Sequence, residues 1–160
     1  GTSYHGLIND KRIKSAAAFD GWFFPLDKKT FSTQTNKPFL HLGQEEYLDI
    51  DIDGDINNSE SGMINFDIHN AILENNTRSF VVYVENSLHV DFTDYKQIYI
   101  QGRPFTIPIS EFGDISRNKI KNIMNKSILE FFDYTFKGKE FDPTVLSQYN
   151  NSIKVSYDPN

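Results

Sequence analysis

The chain is 160 residues long, 38% hydrophobic and 14% aromatic, which suits one domain with a respectable core. Its formal net charge of −6 argues against general nucleic-acid binding, which needs a basic face. It has no cysteine, so disulfides, zinc–thiolate sites and thiol nucleophiles are excluded.

Residues 1–12 are polar and hold two glycines, so they read as irregular. No apolar signal-peptide core opens the chain, and no stretch approaches the roughly 18–20 apolar residues of a membrane span. Secreted and cytoplasmic locations both remain open. Ile13 to Phe19 is a short apolar run ending at Asp20, and the Gly-Trp-Phe-Phe-Pro-Leu that follows breaks any helix. The run therefore predicts a short buried strand with Asp20 at its carboxyl end. Residues 27–38 are a polar loop closed by Pro38, and Phe39 to Leu42 predicts a second strand.

Residues 43–62 form an acidic insertion rich in Asp and Asn. Met63 to Leu73 places Ile64, Ile68, Ile72 and Leu73 at approximately helical spacing. Ser79 to Val84 is β-branched and aromatic, which predicts a third buried strand. Residues 98–112 are apolar but interrupted by Gly102, Pro104 and Pro108, material for a flap or loop. The strongest helix signal covers 117–136, with Ile120, Ile123, Met124, Ile128, Leu129, Phe131 and Phe132 on a wide apolar face and Gly138 as its stop. Residues 139–160 read as an irregular tail.

Strands interleaved with helices favour a parallel sheet and an α/β fold. Three strands are few for an independent α/β domain, so residues 1–160 read as one partial domain, the second half of something larger. Two polar residues stand out on this frame. Asp20 closes the first strand, and His89 lies a few residues past the third. In a parallel sheet those ends share one edge, where open α/β folds bind ligands. A buried carboxylate there would accept the histidine Nδ1 hydrogen, fix its tautomer and stabilise the imidazolium formed on proton abstraction. Acid before histidine is the chain order of α/β-hydrolases, whose nucleophile comes earlier on a strand–turn–helix elbow.

The flanking residues carry a family resemblance. Ala17-Ala18-Phe19-Asp20-Gly21-Trp22-Phe23-Phe24-Pro25-Leu26 resembles the A-x-D-x-W-x-F-P-L segment of the platelet-activating-factor acetylhydrolases, the group with the plasma and type II intracellular enzymes. His89-Val90-Asp91-Phe92-Thr93-Asp94-Tyr95 resembles their H-x-x-F-x-D-F segment, and Asp10-Lys11-Arg12, Gly113-Asp114-Ile115 and Asn125 to Phe131 also fit. The resemblance implies the C-terminal half of an α/β-hydrolase fold, with Asp20 as triad acid and His89 as general base. It implies a serine esterase that removes the sn-2 acetyl or short acyl group of a phospholipid and requires no cofactor. Gly1-Thr2-Ser3-Tyr4-His5-Gly6 is similar to the family's G-x-S-x-G-G, but His5 stands where a glycine is expected. Ser3 is thus the candidate nucleophile, possessing no preceding strand in this sequence and too short a connection to the next for a helical crossover. No activity is expected of these 160 residues alone.

A different class of reading rests on the acidic insertion. Asp49, Asp51, Asp53, Gly54, Asp55 and Glu60 satisfy the D-x-D-x-D-G-x₅-E pattern of a calcium loop, in which alternating carboxylates and a terminal glutamate surround the ion with oxygen. No entering helix is predicted before it, so a calcium-binding or interaction domain is the alternative to the esterase. His41 reads as a satisfied core residue, His69 as a helix residue and His5 as part of the irregular start. None has a ligand-spaced partner for catalytic zinc. Ile98-Tyr99-Ile100 and Phe105 to Ile109 read as packing against the rest of the fold, with contact to a lipid surface as the other reading.

Overall fold

The computed structural model describes residues 1–23, 26–44, 60–95, 111–141 and 153–156. A four-stranded sheet in the order β1-β2-β3-β4 organises them. Strands β1 (Ala16–Phe19), β2 (Phe39–Gln44) and β3 (Ser79–Val84) are parallel, with Phe19 opposite Leu42 and Leu42 opposite Val82. Strand β4 (Ile153–Ser156) runs antiparallel along β3. The three predicted strands are therefore present. The tail is not wholly irregular, because it returns to supply β4. Of the acidic stretch 43–62, Gly43 and Gln44 belong to β2 and 60–62 to a helix, and 45–59 lie outside the described residues.

Every residue of β2 and β3 is buried. Such strands read as unbroken apolar runs because helices cover both faces of the sheet. On one face Leu40, Leu42, Phe80, Val82 and Val84 pack against helix Arg117–Lys137 through Ile120, Ile123 and Phe131. On the other, Phe39 and Ala18 meet Tyr4 and Leu7 of α1 (Thr2–Asn9) and Ile68 and Ile72 of α3 (Glu60–Asn75). A one-turn helix, α2 (Lys28–Phe31), is capped by the Asp27 carboxylate, which accepts the Thr30 amide. The Arg117–Lys137 helix, α4, starts at the Ser116 N-cap and stops at Gly138, whose φ of 67° a side-chain-bearing residue rarely adopts.

Helix α1 corrects the reading of residues 1–12 as irregular. Tyr4, Leu7 and Ile8 recur at helical spacing and face the core, and that stripe outweighs the cost of Gly6. The last turn is closed by Lys37, whose Nζ donates to the carbonyls of Leu7 (2.6 Å) and Asp10 (3.0 Å). A cation on exposed helix carbonyls is favourable on both hydrogen-bonding and dipole grounds.

Candidate active site

Because β1, β2 and β3 are parallel, their carboxyl ends deliver Asp20, Gln44 and the chain leading to His89 to one edge. Asp20 is fully buried, and its φ of 42° turns the chain sharply out of the sheet. Its Oδ1 accepts the Gln44 amide at 2.8 Å, and its Oδ2 lies 2.6 Å from His89 Nδ1. A carboxylate only accepts, so Nδ1 carries the hydrogen and Nε2 is left to take a proton. The hydrogen bond to Asp20 raises the His89 pKa above its ordinary value, partial burial opposes the shift, and the carboxylate's charge adds to it.

His89 begins a 3₁₀ turn, His89–Phe92, that is braced from three sides. The Ser87 hydroxyl donates to the Val84 carbonyl at 2.6 Å. Asp91 is buried, and its Oδ2 accepts the amides of Leu88 (2.9 Å) and Gly113 (2.8 Å). Asn86, at φ 56°, presents its carbonyl to the Ile115 amide at 2.8 Å. Segments 86–91 and 113–115 approach so closely that a Cβ on Gly113 would stand 2.2 Å from the Asn86 oxygen. Behind this turn Phe92, Asp94, Arg117, Lys121 and Met124 help line a cavity of about 180 Å³. His89 does not line it, so that cavity is separate from the acid–base pair.

The structure therefore brings two of the predicted site residues together, Asp20 and His89. Ser3 stands apart: it lies in the first turn of α1, and among the described residues no hydrogen bond links it to His89. Its backbone is regular helix, without the positive φ found at Asp20 and Asn86. The beginning of α1 nevertheless adjoins the two residues that follow the acid. A Cβ on Gly1 would come within 2.8 Å of the Trp22 carbonyl, and one on Gly21 within 3.6 Å of the Gly1 nitrogen. The calcium-loop positions Asp49, Asp51, Asp53 and Asp55 lie outside the described residues, and Glu60 is the first residue of α3. Among the described residues, no group of three or more His, Asp or Glu is placed to hold a metal. The apolar segments 98–100 and 105–109 also lie outside them.

Comparison with known proteins follows the same lines. Residues 1–156 match the family profile of platelet-activating factor acetylhydrolase, isoform II. The chain belongs to that family. No curated protein matches this acetylhydrolase-family chain by sequence. Among solved structures it is similar to a ferulic acid esterase from Streptomyces cinnamoneus, with a TM-score of 0.61 and 23% identity over 84% of this chain. At that identity the likeness concerns the α/β fold alone. The acetylhydrolase-family chain spans 36% of that esterase's length. Among the described residues no helix is long and apolar enough to cross a membrane.

One feature of the acetylhydrolase-family chain was not legible from spacing. His41 of β2 and His69 of α3 are both buried and come together with ring centroids 4.3 Å apart. Phe23 sits edge-on to each at 5.0 Å, and His69 Nδ1 lies 3.0 Å from the Tyr83 hydroxyl. His41 is not satisfied as the sequence suggested: neither ring nitrogen has a hydrogen-bond partner among the described residues. Burial holds both histidines neutral, driving His41 well below its ordinary pKa and His69 to about 3. The signal available in sequence was a histidine flanked on both sides by buried strand residues.

Proposed function

We propose that this chain supplies the acid and base of a serine-type carboxylic ester hydrolase acting on the sn-2 acetyl or short acyl group of platelet-activating-factor-like phospholipids. The observation that carries the reading is the buried Asp20 carboxylate, 2.6 Å from His89 Nδ1, in a member of the acetylhydrolase family. A serine hydroxyl attacks the ester carbonyl while His89 Nε2 takes its proton. The Asp20 carboxylate stabilises the resulting imidazolium and keeps the ring oriented. Collapse of the tetrahedral intermediate expels the alkoxide of the lysophospholipid, which receives that proton from His89. Water, deprotonated by the same nitrogen, then releases the carboxylic acid and regenerates the serine. None of these steps calls for a metal or organic cofactor.

The nucleophile is the third member. An elbow serine stands where a strand turns into a helix, and the helix whose start adjoins Gly21 and Trp22, just past Asp20, is α1. Ser3, the second residue of that helix, is the serine this chain offers for the role.

The test is ester hydrolysis by the whole enzyme, with an sn-2 acetyl glycerophosphocholine, a long-chain diacyl analogue and a ferulate ester as competing substrates. His89→Ala and Asp20→Asn are each expected to lower kcat by about 10⁴ with folding retained; Ser3→Ala should lower it comparably, and turnover within a few-fold of wild type would remove Ser3 from the role. Near-normal turnover in either of the first two removes that residue from the mechanism. Preference for the ferulate or long-chain ester would reassign the substrate while leaving the acid–base pair in place.

A further inference from the structure

The indole of Trp22 lies over the imidazole of His89, with ring centroids 5.3 Å apart and planes inclined at 32°. This is the only tryptophan in the chain. It is 52% exposed, whereas the other aromatic rings among the described residues mostly pack inside, so burial does not account for its position. Local geometry does. Asp20 adopts a positive φ, the chain reverses there, and two residues later the Trp22 side chain returns over the ring that the Asp20 carboxylate holds.

The hydrogen bond to Asp20 fixes one nitrogen of His89 but leaves the ring free to pivot about that bond. The His89 side chain is 46% exposed, so the surrounding packing does not immobilise it. An aromatic face at 5.3 Å limits the pivot and, being electron-rich, attracts the ring more strongly when it is charged. We infer that Trp22 is a positioning residue for His89: its indole face holds the imidazole so that Nε2 keeps its direction, and it stabilises the imidazolium form. This rests on the assignment of His89 as the base. Among the described residues, the charged group facing His89 from the sheet is Asp20. Asp91, on the same turn, directs its Oδ2 to the Leu88 and Gly113 amides instead.

Trp22→Leu keeps apolar bulk and removes the π face, and Trp22→Phe restores a smaller one. NMR titration of the His89 ring in this chain is expected to show Trp22→Leu titrating about half a pH unit lower than wild type. Trp22→Phe should fall between them. In the whole enzyme, Trp22→Leu should lower kcat about tenfold with little change in KM, an amount typical of a misaligned base. The acidic limb of its pH profile should move with the NMR value, and Trp22→Phe should recover most of the loss. In unmodified protein, fluorescence of the single tryptophan should titrate at the His89 midpoint and lose that transition in His89→Gln. That last measurement needs no Trp22 variant to fold.

An unchanged His89 titration in Trp22→Leu, or a tryptophan signal insensitive to His89→Gln, overturns the inference. So does a loss of activity expressed wholly in KM, which would make Trp22 a substrate contact. If the wild-type enzyme shows no ester turnover while the NMR and fluorescence shifts appear, the esterase reading fails and the ring-positioning role stands.

Discussion

Asp91 does for the histidine turn what Asp20 does for the histidine ring. Its single oxygen Oδ2 accepts two backbone amides, Leu88 on its own turn and Gly113 on the segment across from it. The turn is only four residues long and has no regular hydrogen-bonding ladder to hold it, so these side-chain bonds set where His89 begins. Asp91→Ala removes the acceptor from both amides at once. Leaving a largely buried donor unsatisfied costs about 1–3 kcal/mol, so the substitution should lower unfolding stability by about 2 kcal/mol or more. Asp91→Asn retains an oxygen in the same place and should cost less than half as much. Urea midpoints, with an unchanged denaturant slope, measure both; faster hydrogen exchange at the Gly113 amide in Asp91→Ala identifies the bond that was lost. Equal midpoints for wild type and Asp91→Ala would mean that the turn is held by its other braces.

At the scale of elements, β2 and α3 each place a histidine in the core, and the consequence is a dependence of stability on pH. His41 and His69 have folded-state pKa values below the ordinary 6.5, because burial disfavours the charged ring. Unfolded, each histidine takes up a proton as pH falls below about 6.5, while the folded rings do not follow. Their contribution is thus complete above that value and is lost as pH falls. Between pH 7 and pH 5 the loss is about 2 kcal/mol for each ring. His89 acts in the opposite sense: its raised pKa gives stability that is full below 6.5 and is lost as pH rises through the raised value. Denaturant midpoints should therefore fall from pH 7 to pH 5, and His41→Phe should remove about half of the fall. A His41→Phe protein with the wild-type pH profile would show that acid sensitivity arises elsewhere.

These same elements show what a linear reading reaches. β1, β2 and β3 are apolar runs bounded by turn residues, and α4 has a continuous helical stripe with a serine cap and a glycine stop, so each was legible within a few residues. Asp20 and His89 were legible because a parallel sheet sends successive strand ends to one edge. α1 was not, since two glycines and a polar surface masked the Tyr4, Leu7 and Ile8 spacing. The His41–His69 pair was not, because a contact between a strand and a helix 28 positions apart leaves no local pattern. The bracing by Asp91 and the stacking of Trp22 were beyond sequence for the same reason: each depends on a reversed backbone, at Asn86 and Asp20 respectively.

For the whole molecule the decisive closure is made by the chain's last described strand. β3 is the most apolar of the parallel strands, and its outer edge is paired from Val81 to Val84 by β4, in the stretch that composition alone marked as tail. The antiparallel return joins residue 156 to the centre of a sheet whose opposite edge is β1. Without it, Val81-Val82-Tyr83-Val84 would present unpaired backbone groups on a flat, apolar edge, an arrangement that templates pairing with other chains. Deleting residues 142–160 removes about four ladder positions, each worth about 0.5–1.5 kcal/mol net. The melting temperature should accordingly drop by roughly 10 °C, given about 2–4 °C per kcal/mol for a chain of this size. The shortened protein should also scatter light and sediment as oligomers at concentrations where the intact chain stays monodisperse. Because β4 meets β3 on the side away from β1, the Asp20–His89 hydrogen bond should survive at temperatures where the shortened protein is folded, with its His89 titration unchanged. A shortened protein that melts at the wild-type temperature and stays monodisperse would show that the edge of β3 needs no partner.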